Sequence, residues 1–296
     1  NSLLGVSSTD YGPAVGQPII RGMSGNRVKI LNNGMVVRDQ SGLGADHIND
    51  VDLNDIQQIE VVRGPSSLLY SNGTIGGIVN IVDNTIPKAD IKDLDLKIGF
   101  ENQSVNDGDS HNFSFANNLG GINLTLAYKD SQFGNFDVPR GAIIHSDEHE
   151  DEHEDEHEED IGFLANSDSE SESTRIGLSK VSDWGYIGAS YSNVESLYGI
   201  PFHGEGHEEH EEEGHDEEEH EGERIFSSTE SDVFNIEGSF AVDTKFIKTA
   251  DFYFRDTDYS LTEQHAEEAH EDEHEDEHED EHEDEHEGHS EGPTLF

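Results

Sequence analysis

The chain has 296 residues, 68 acidic against 16 basic side chains, 18 histidines, no cysteine and a formal charge of −52 at pH 7. That balance excludes nucleic-acid binding, which needs Lys and Arg opposite phosphates, and the missing thiols exclude disulfides and thiolate metal sites. No apolar run approaches the ~20 residues of a membrane-spanning helix.

Residues 1 to about 90 read as a small α/β or α+β unit. Short apolar strands at 27–31 and 58–62 alternate with Gly/Asn turns such as Asn32-Asn33-Gly34. Residues 52–56 suggest a short helical turn, and GTIGGIVNIV (73–82) a turn leading into a β-branched strand. The opening NSLLGVSSTD carries no basic region or cleavage site. The chain therefore reads as cytosolic, or as cut at both ends.

After Pro87 the texture changes to seven segments of period-two alternation, at 94–103, 112–118, 122–130, 174–181, 186–194, 233–242 and 249–259. Ile122, Leu124, Leu126 and Tyr128 face one way and Asn123, Thr125 and Ala127 the other. Strands of ~9–11 residues with one apolar face suit a transmembrane β-barrel, but the alternation alone suits a soluble sandwich equally well. Connection lengths decide. Tight turns at 119–121, 182–185 and 243–246 alternate with long acidic connections. In an up-and-down meander alternate connections share an end, so short turns lie on one rim and long loops on the other, as in outer-membrane barrels.

The charge is concentrated in those long connections. Stretches 145–160, 203–223 and 263–291 hold 40 of the 68 acids, 16 of the 18 histidines and none of the bases, leaving an ordinary 28 acids against 16 bases elsewhere. The histidines are His145, His149, His153 and His157; His203, His207, His210, His215 and His220; and His265, His270, His274, His278, His282, His286 and His289. The last tract, HEDEHEDEHEDEHEDEHEGH, places a histidine at nearly every fourth position. Imidazole and carboxylate together suit Zn²⁺ and its neighbours, whereas a Ca²⁺ or Mg²⁺ site gains little from histidine. A solvating bristle would account for the acids but not for sixteen histidines among them. Each tract reads as many overlapping weak metal sites. Imidazole titrates near pH ~6.5, so capture weakens in acid. Outside the tracts, Asp46-His47 in a Gly-flanked loop reads either as a surface pair or as two metal ligands. Asp50 is a further candidate ligand, and His111 reads as structural.

PIIRG (18–22), NRVKILNNG (26–34) and, most specifically, IEVVRGPSSLLYSNGTIGGIVNIV (59–82) resemble the plug domain of TonB-dependent outer-membrane receptors. GADHINDVD (44–52) and NIVDNTIP (80–87) resemble the zinc-uptake branch of that family. The resemblance implies a small α/β plug domain over 1–88, followed over 89–296 by about seven antiparallel transmembrane β-barrel strands of an incomplete barrel. Long extracellular loops then fall at 131–172, 195–231 and 260–296. The family barrel has 22 strands, and seven cannot close. The chain is expected to be a fragment that lacks the signal peptide, the box for the TonB energy-coupling complex, the start of the plug and most of the barrel.

The resemblance further implies residence in the lipid of a Gram-negative outer membrane, import of Zn²⁺ with TonB as partner, and no enzymatic activity. It places Asp46 and His47 in a high-affinity transport site, with the remaining ligands from barrel loops. Arg21 and Arg63, in the two RG motifs, become locks that pair the plug with barrel-wall carboxylates. Two alternatives stay open: a receptor for Ni, Cu, Co or a metal chelate such as a siderophore, and a non-transporting surface protein that binds cations. Against a chelate, the outer loops lack aromatic and Arg-rich character.

Overall fold

A computed structural model describes residues 3–9, 14–42, 44–64, 67, 70, 74–139, 162–201, 224–242 and 244–266. The His/acid tracts therefore lie outside the described residues, except for the start of the third, 263–266, which completes the last strand, where the backbone of His265 stands opposite Ile225.

The plug is built from β1 (Val6–Ser8), β2 (Pro18–Ile20), β3 (Val28–Asn32), β4 (Met35–Val36), β5 (Ile56–Val62) and β6 (Gly77–Asp83). Strands β3–β6 form one sheet in the order β4-β3-β6-β5, with β3 and β6 parallel and their β-branched side chains closing the core. Ile20, Leu31 and Ile78 are fully buried there. The helical turn expected at 52–56 is not formed. The Asp52 carboxylate accepts the Asn54 N–H at 2.7 Å and Asp55 sits at φ 50°, a side-chain-capped turn that competes with helix. A 3-10 turn does form at Gly25–Arg27.

Seven strands follow in one antiparallel meander: β7 (Asp95–Gln103), β8 (Gly108–Asn118), β9 (Asn123–Phe133), β12 (Ser169–Ser182), β13 (Gly185–Gly199), β14 (Arg224–Ala241) and β15 (Thr249–Ala266). A two-stranded ribbon of β10 (Phe136–Asp137) and β11 (Phe163–Leu164) extends the β9–β12 connection. The later strands run several residues further toward the tract-bearing rim than their apolar alternation does, because there the outer face turns polar while the pairing continues. Ile98, Phe100, Ile176, Leu178, Ile187, Phe234, Phe252 and Phe254 project outward and are exposed. Ser173, Arg175, Ser179, Ser190 and Ser231 face inward and are buried against the plug. This apolar-out, polar-in alternation is the pattern that a lipid-embedded barrel wall requires. At the tight-turn rim Trp184 stacks on Phe240 and Phe240 on Phe252, at centroid distances of 5.2 and 5.7 Å.

The plug seats on this wall through close polar contacts. The Thr85 carbonyl accepts the Thr125 hydroxyl at 2.6 Å, and the Pro87 carbonyl accepts Ser179 Oγ at 2.6 Å. Gly177 makes the approach possible, since a Cβ there would coincide with the Thr85 carbonyl.

Candidate metal centre at the plug–barrel junction

The loop after β4 is framed by buried polar side chains. Both Asp39 carboxylate oxygens work: Oδ1 accepts Ser41 Oγ at 2.6 Å and Oδ2 accepts the Asp50 N–H at 3.1 Å. Gln17, only 4% exposed, shares its Nε2 among the carbonyls of Ser41, Gly44 (2.6 Å) and His47 (3.3 Å). Asn49 Nδ2 donates to the Gly16 carbonyl at 2.7 Å. The loop is thus tied at both ends and at its centre. Gly44 lets it fold tightly, because a Cβ there would strike the Asp46 carboxylate and lie 3.3 Å from the His47 ring.

This frame aims Asp46 and His47 at the wall, where Glu263 of β15 meets them. One ligand atom from each of the three lies within 4.8 Å of the others, the one such group of His, Asp and Glu among the described residues. Donors around a tetrahedral ion at ~2.0–2.2 Å are about 3.4 Å apart, so an ion would draw these side chains inward by roughly 1 Å. His47 Nδ1 is buried without a hydrogen-bond partner, an unusual state for a ring nitrogen. Asp46 and His47 are half-buried and Glu263 is exposed, so the group opens to solvent on one side. Beneath it a small core joins plug to wall: Val15, Tyr198, Ile200 and Ile225, with Ala14 and Ile48 packed against them.

Glu263 was counted among the tract acids by composition. Its parity identifies it: Arg255, Thr257, Tyr259, Leu261 and Glu263 alternate on the inward face of β15, facing Asn235, Val233, Ser231, Thr229 and Ser227 of β14. The tracts at 145–160 and 203–223 attach to the same rim, outside the described residues. Asp50 is buried on the same loop but is not part of the three-residue group. His111 packs edge-on to Phe100 at 5.4 Å.

The two arginines of the RG motifs do not meet barrel carboxylates among the described residues. Arg63 Nη1 donates to the Leu4 carbonyl within the plug at 2.6 Å, and Arg21 takes a left-handed φ of 54° with no described ion pair. The charge contact runs in the opposite sense. Arg175 on the barrel wall reaches into the plug, with Nε 3.0 Å from Asp52 Oδ2 and Nη1 3.5 Å from Asp83 Oδ2, all three side chains less than a tenth exposed. The Nε approach is off the N–H axis, an ion pair without a full hydrogen bond. Nη2 donates to the Asn54 carbonyl. Burial would raise the Asp83 carboxyl, but Arg175, the Thr85 amide and the Asn32 and Asn33 side chains overcome it and hold Asp83 below the usual carboxylate range. Arg255 of β15 likewise reaches the plug, donating to the Asn32 carboxamide at 3.1 Å while Nε holds Asn235 at 2.6 Å. Arginine on the inward parity of a strand was the available sequence signal for both.

Residues 1–78 match the TonB-dependent Receptor Plug Domain family. This portion of the chain is a plug domain of the TonB-dependent receptor kind, and an antiparallel meander of seven strands follows it. Over 123 residues it is 31% identical to the vitamin B12 transporter BtuB of Vibrio vulnificus (strain CMCP6), covering 40% of this chain and 19% of that protein. Over 151 residues it is 26% identical to a hemin receptor of Yersinia enterocolitica, covering 49% and 21% respectively. The chain thus spans about a fifth of the length of these relatives. Among solved structures it superposes on the copper transporter OprC with TM-score 0.60 at 13% identity, over 88% of this chain and 34% of that one. The FrpB iron transporter of Neisseria meningitidis (F3-3 variant) gives 0.57 at 12% identity, over 88% and 36%. At such identities the likeness is one of fold.

Proposed function

We propose that this chain belongs to an outer-membrane receptor that imports a divalent transition metal, zinc in the first instance, energised through TonB. The observation that carries the reading is the convergence of Asp46 and His47 from the plug with Glu263 from the wall. A site shared between the two bodies is broken when the plug moves, which couples release to the energised step. Imidazole with two carboxylates suits Zn²⁺, and three protein ligands leave a fourth position open to water or to another donor. The acidic His-rich tracts attach at the same rim, where their field raises the local cation concentration. Capture and transport are thereby divided: many weak sites outside, one ordered group at the junction.

Nickel, cobalt or copper would bind the same ligand types, and affinity order alone favours copper. The relatives include proteins named for copper, iron, hemin and vitamin B12. The deciding experiment is ⁶⁵Zn uptake by the full-length receptor in cells, with excess of each competing metal, for wild type, Asp46→Ala/His47→Ala and a variant lacking all three tracts. Zinc import is expected to be abolished by the double substitution and weakened by tract deletion only when zinc is scarce. Unchanged zinc uptake in the double variant, with loss of another metal's uptake, would replace zinc as the cargo.

A further inference from the structure

Below the three-residue group, a set of buried polar atoms has no hydrogen-bond partner: Ser227 Oγ, Thr229 Oγ1 and both carboxylate oxygens of Asp50. Buried polar groups are almost always paired, so such a cluster asks for a water or an ion. Their arrangement has a direction. Ser227, Thr229 and Ser231 occupy successive inward positions of β14 and are 0%, 2% and 6% exposed. Ser227 lies in register between Tyr198 and Glu263, at the level of the metal group. Ser231 lies between Val194 and Tyr259, four residues further from the tract-bearing rim, or about 13 Å along the strand.

Asp50 stands beside that lower rung. It is 7% exposed and lines two cavities at once, one of about 850 Å³ on the β9–β12–β13 side and one of about 100 Å³ toward β14 and β15. Burial, and secondarily the neighbouring Asp39 charge, push its carboxyl up to about 6; the Ser231 hydroxyl is close enough to offset part of this without making a full hydrogen bond. An isolated carboxylate here is costly, and a bound cation would remove the cost.

We infer that Asp50, with the Ser231 hydroxyl, is a second cation station, reached from the Asp46–His47–Glu263 group along the hydroxyl ladder Ser227–Thr229–Ser231. This rests on the metal-import reading above and adds a route to it. The station is all oxygen, so it holds a transition metal more weakly than the imidazole-bearing group. A cation therefore pauses there without being trapped. Beyond it the smaller cavity is lined by acids and bases alike, with Asp52 and Asp83 already paired to Arg175.

The test is anomalous diffraction from crystals of the full-length receptor soaked in zinc, paired with ⁶⁵Zn uptake in cells. Two zinc peaks are expected in the wild type, one at Asp46–His47–Glu263 and a weaker one at Asp50. The isosteric Asp50→Asn should erase only the second peak and lower uptake at least tenfold, with first-site affinity within twofold of wild type. Thr229→Val, which removes a rung without touching either station, should slow uptake with both peaks retained, and serves if Asp50→Asn fails to assemble. A single peak at the first group, with wild-type uptake in either variant that assembles, overturns the second station. Absence of zinc from the first group in the wild type overturns the import reading instead, whatever appears at Asp50.

Discussion

Nη1 of Arg175, on the inner face of the barrel wall, lies 3.5 Å from the carboxylate of Asp83 at the end of the plug's last strand, and both side chains are almost completely buried. With Asp52 on the other edge of the guanidinium, one wall arginine holds two plug carboxylates. The plug is thereby fastened to the wall at two points, ahead of β5 and at the end of β6.

Arg175→Met keeps the length of the side chain and removes its charge. Two buried carboxylates are then left uncompensated, a loss of the kind that costs about 3–5 kcal/mol. The expected outcome is a plug that unfolds at lower urea concentration while the barrel strands remain, read by a fluorophore on the plug and by the far-UV signal of the sheet.

Acid should loosen the same lock. Asp83 is held below its ordinary value, so its contribution is complete above the unfolded carboxylate pKa of ~3.9 and is lost as pH falls through the lower folded value. Plug stability is expected to fall below about pH 4, and Arg175→Met should flatten that dependence. An unchanged slope in the variant would remove Arg175 as its cause.

Glu263→Gln keeps the shape of the third ligand and removes its charge. Zinc affinity at the junction should fall by more than the ~10–100-fold that loss of an outer-shell partner costs, with tract binding unaffected. Titration of the tract-deleted receptor against a chelator of known affinity measures it.

Gln17→Leu tests the frame. One Nε2 serves three carbonyls of the 41–47 loop, and leaving buried acceptors unpaired costs about 1–3 kcal/mol. Hydrogen exchange across residues 41–50 should quicken while the β3–β6 sheet keeps its protection, and zinc affinity should fall with it.

Gly177→Val should unseat the plug's exit segment, because its branched side chain would need the space of the Thr85 carbonyl. Overpacking of this kind costs about 1–3 kcal/mol. Faster proteolysis near residues 84–88 in the assembled receptor is the expected signature.

Much of this was legible from the chain alone. Period-two alternation located the seven barrel strands and sorted Asn123, Thr125 and Ala127 from Leu124, Leu126 and Tyr128, because the faces of a strand are set by local backbone geometry. Alternating connection lengths placed the tracts' attachment points on one rim for an equally local reason: a meander reverses at every turn. The RG and LLYS motifs drew attention to the plug. The turn at 52–56 was misjudged because a side-chain cap at Asp52 outcompeted a marginal helical pattern.

What only the tertiary structure decided were the pairings across the plug–wall boundary. That Glu263 meets His47, that Arg175 carries a buried lock, and that Asp50 lies beside Ser231 all depend on how far the strands are staggered and how deeply the plug sits among them. Those are global quantities, fixed by the summed packing of many residues. A period of two specifies which way a side chain faces, but not what stands opposite it on a different element. The sequence thus determined the two bodies, their order and the ligand chemistry on offer, and three-dimensional packing chose which ligands meet.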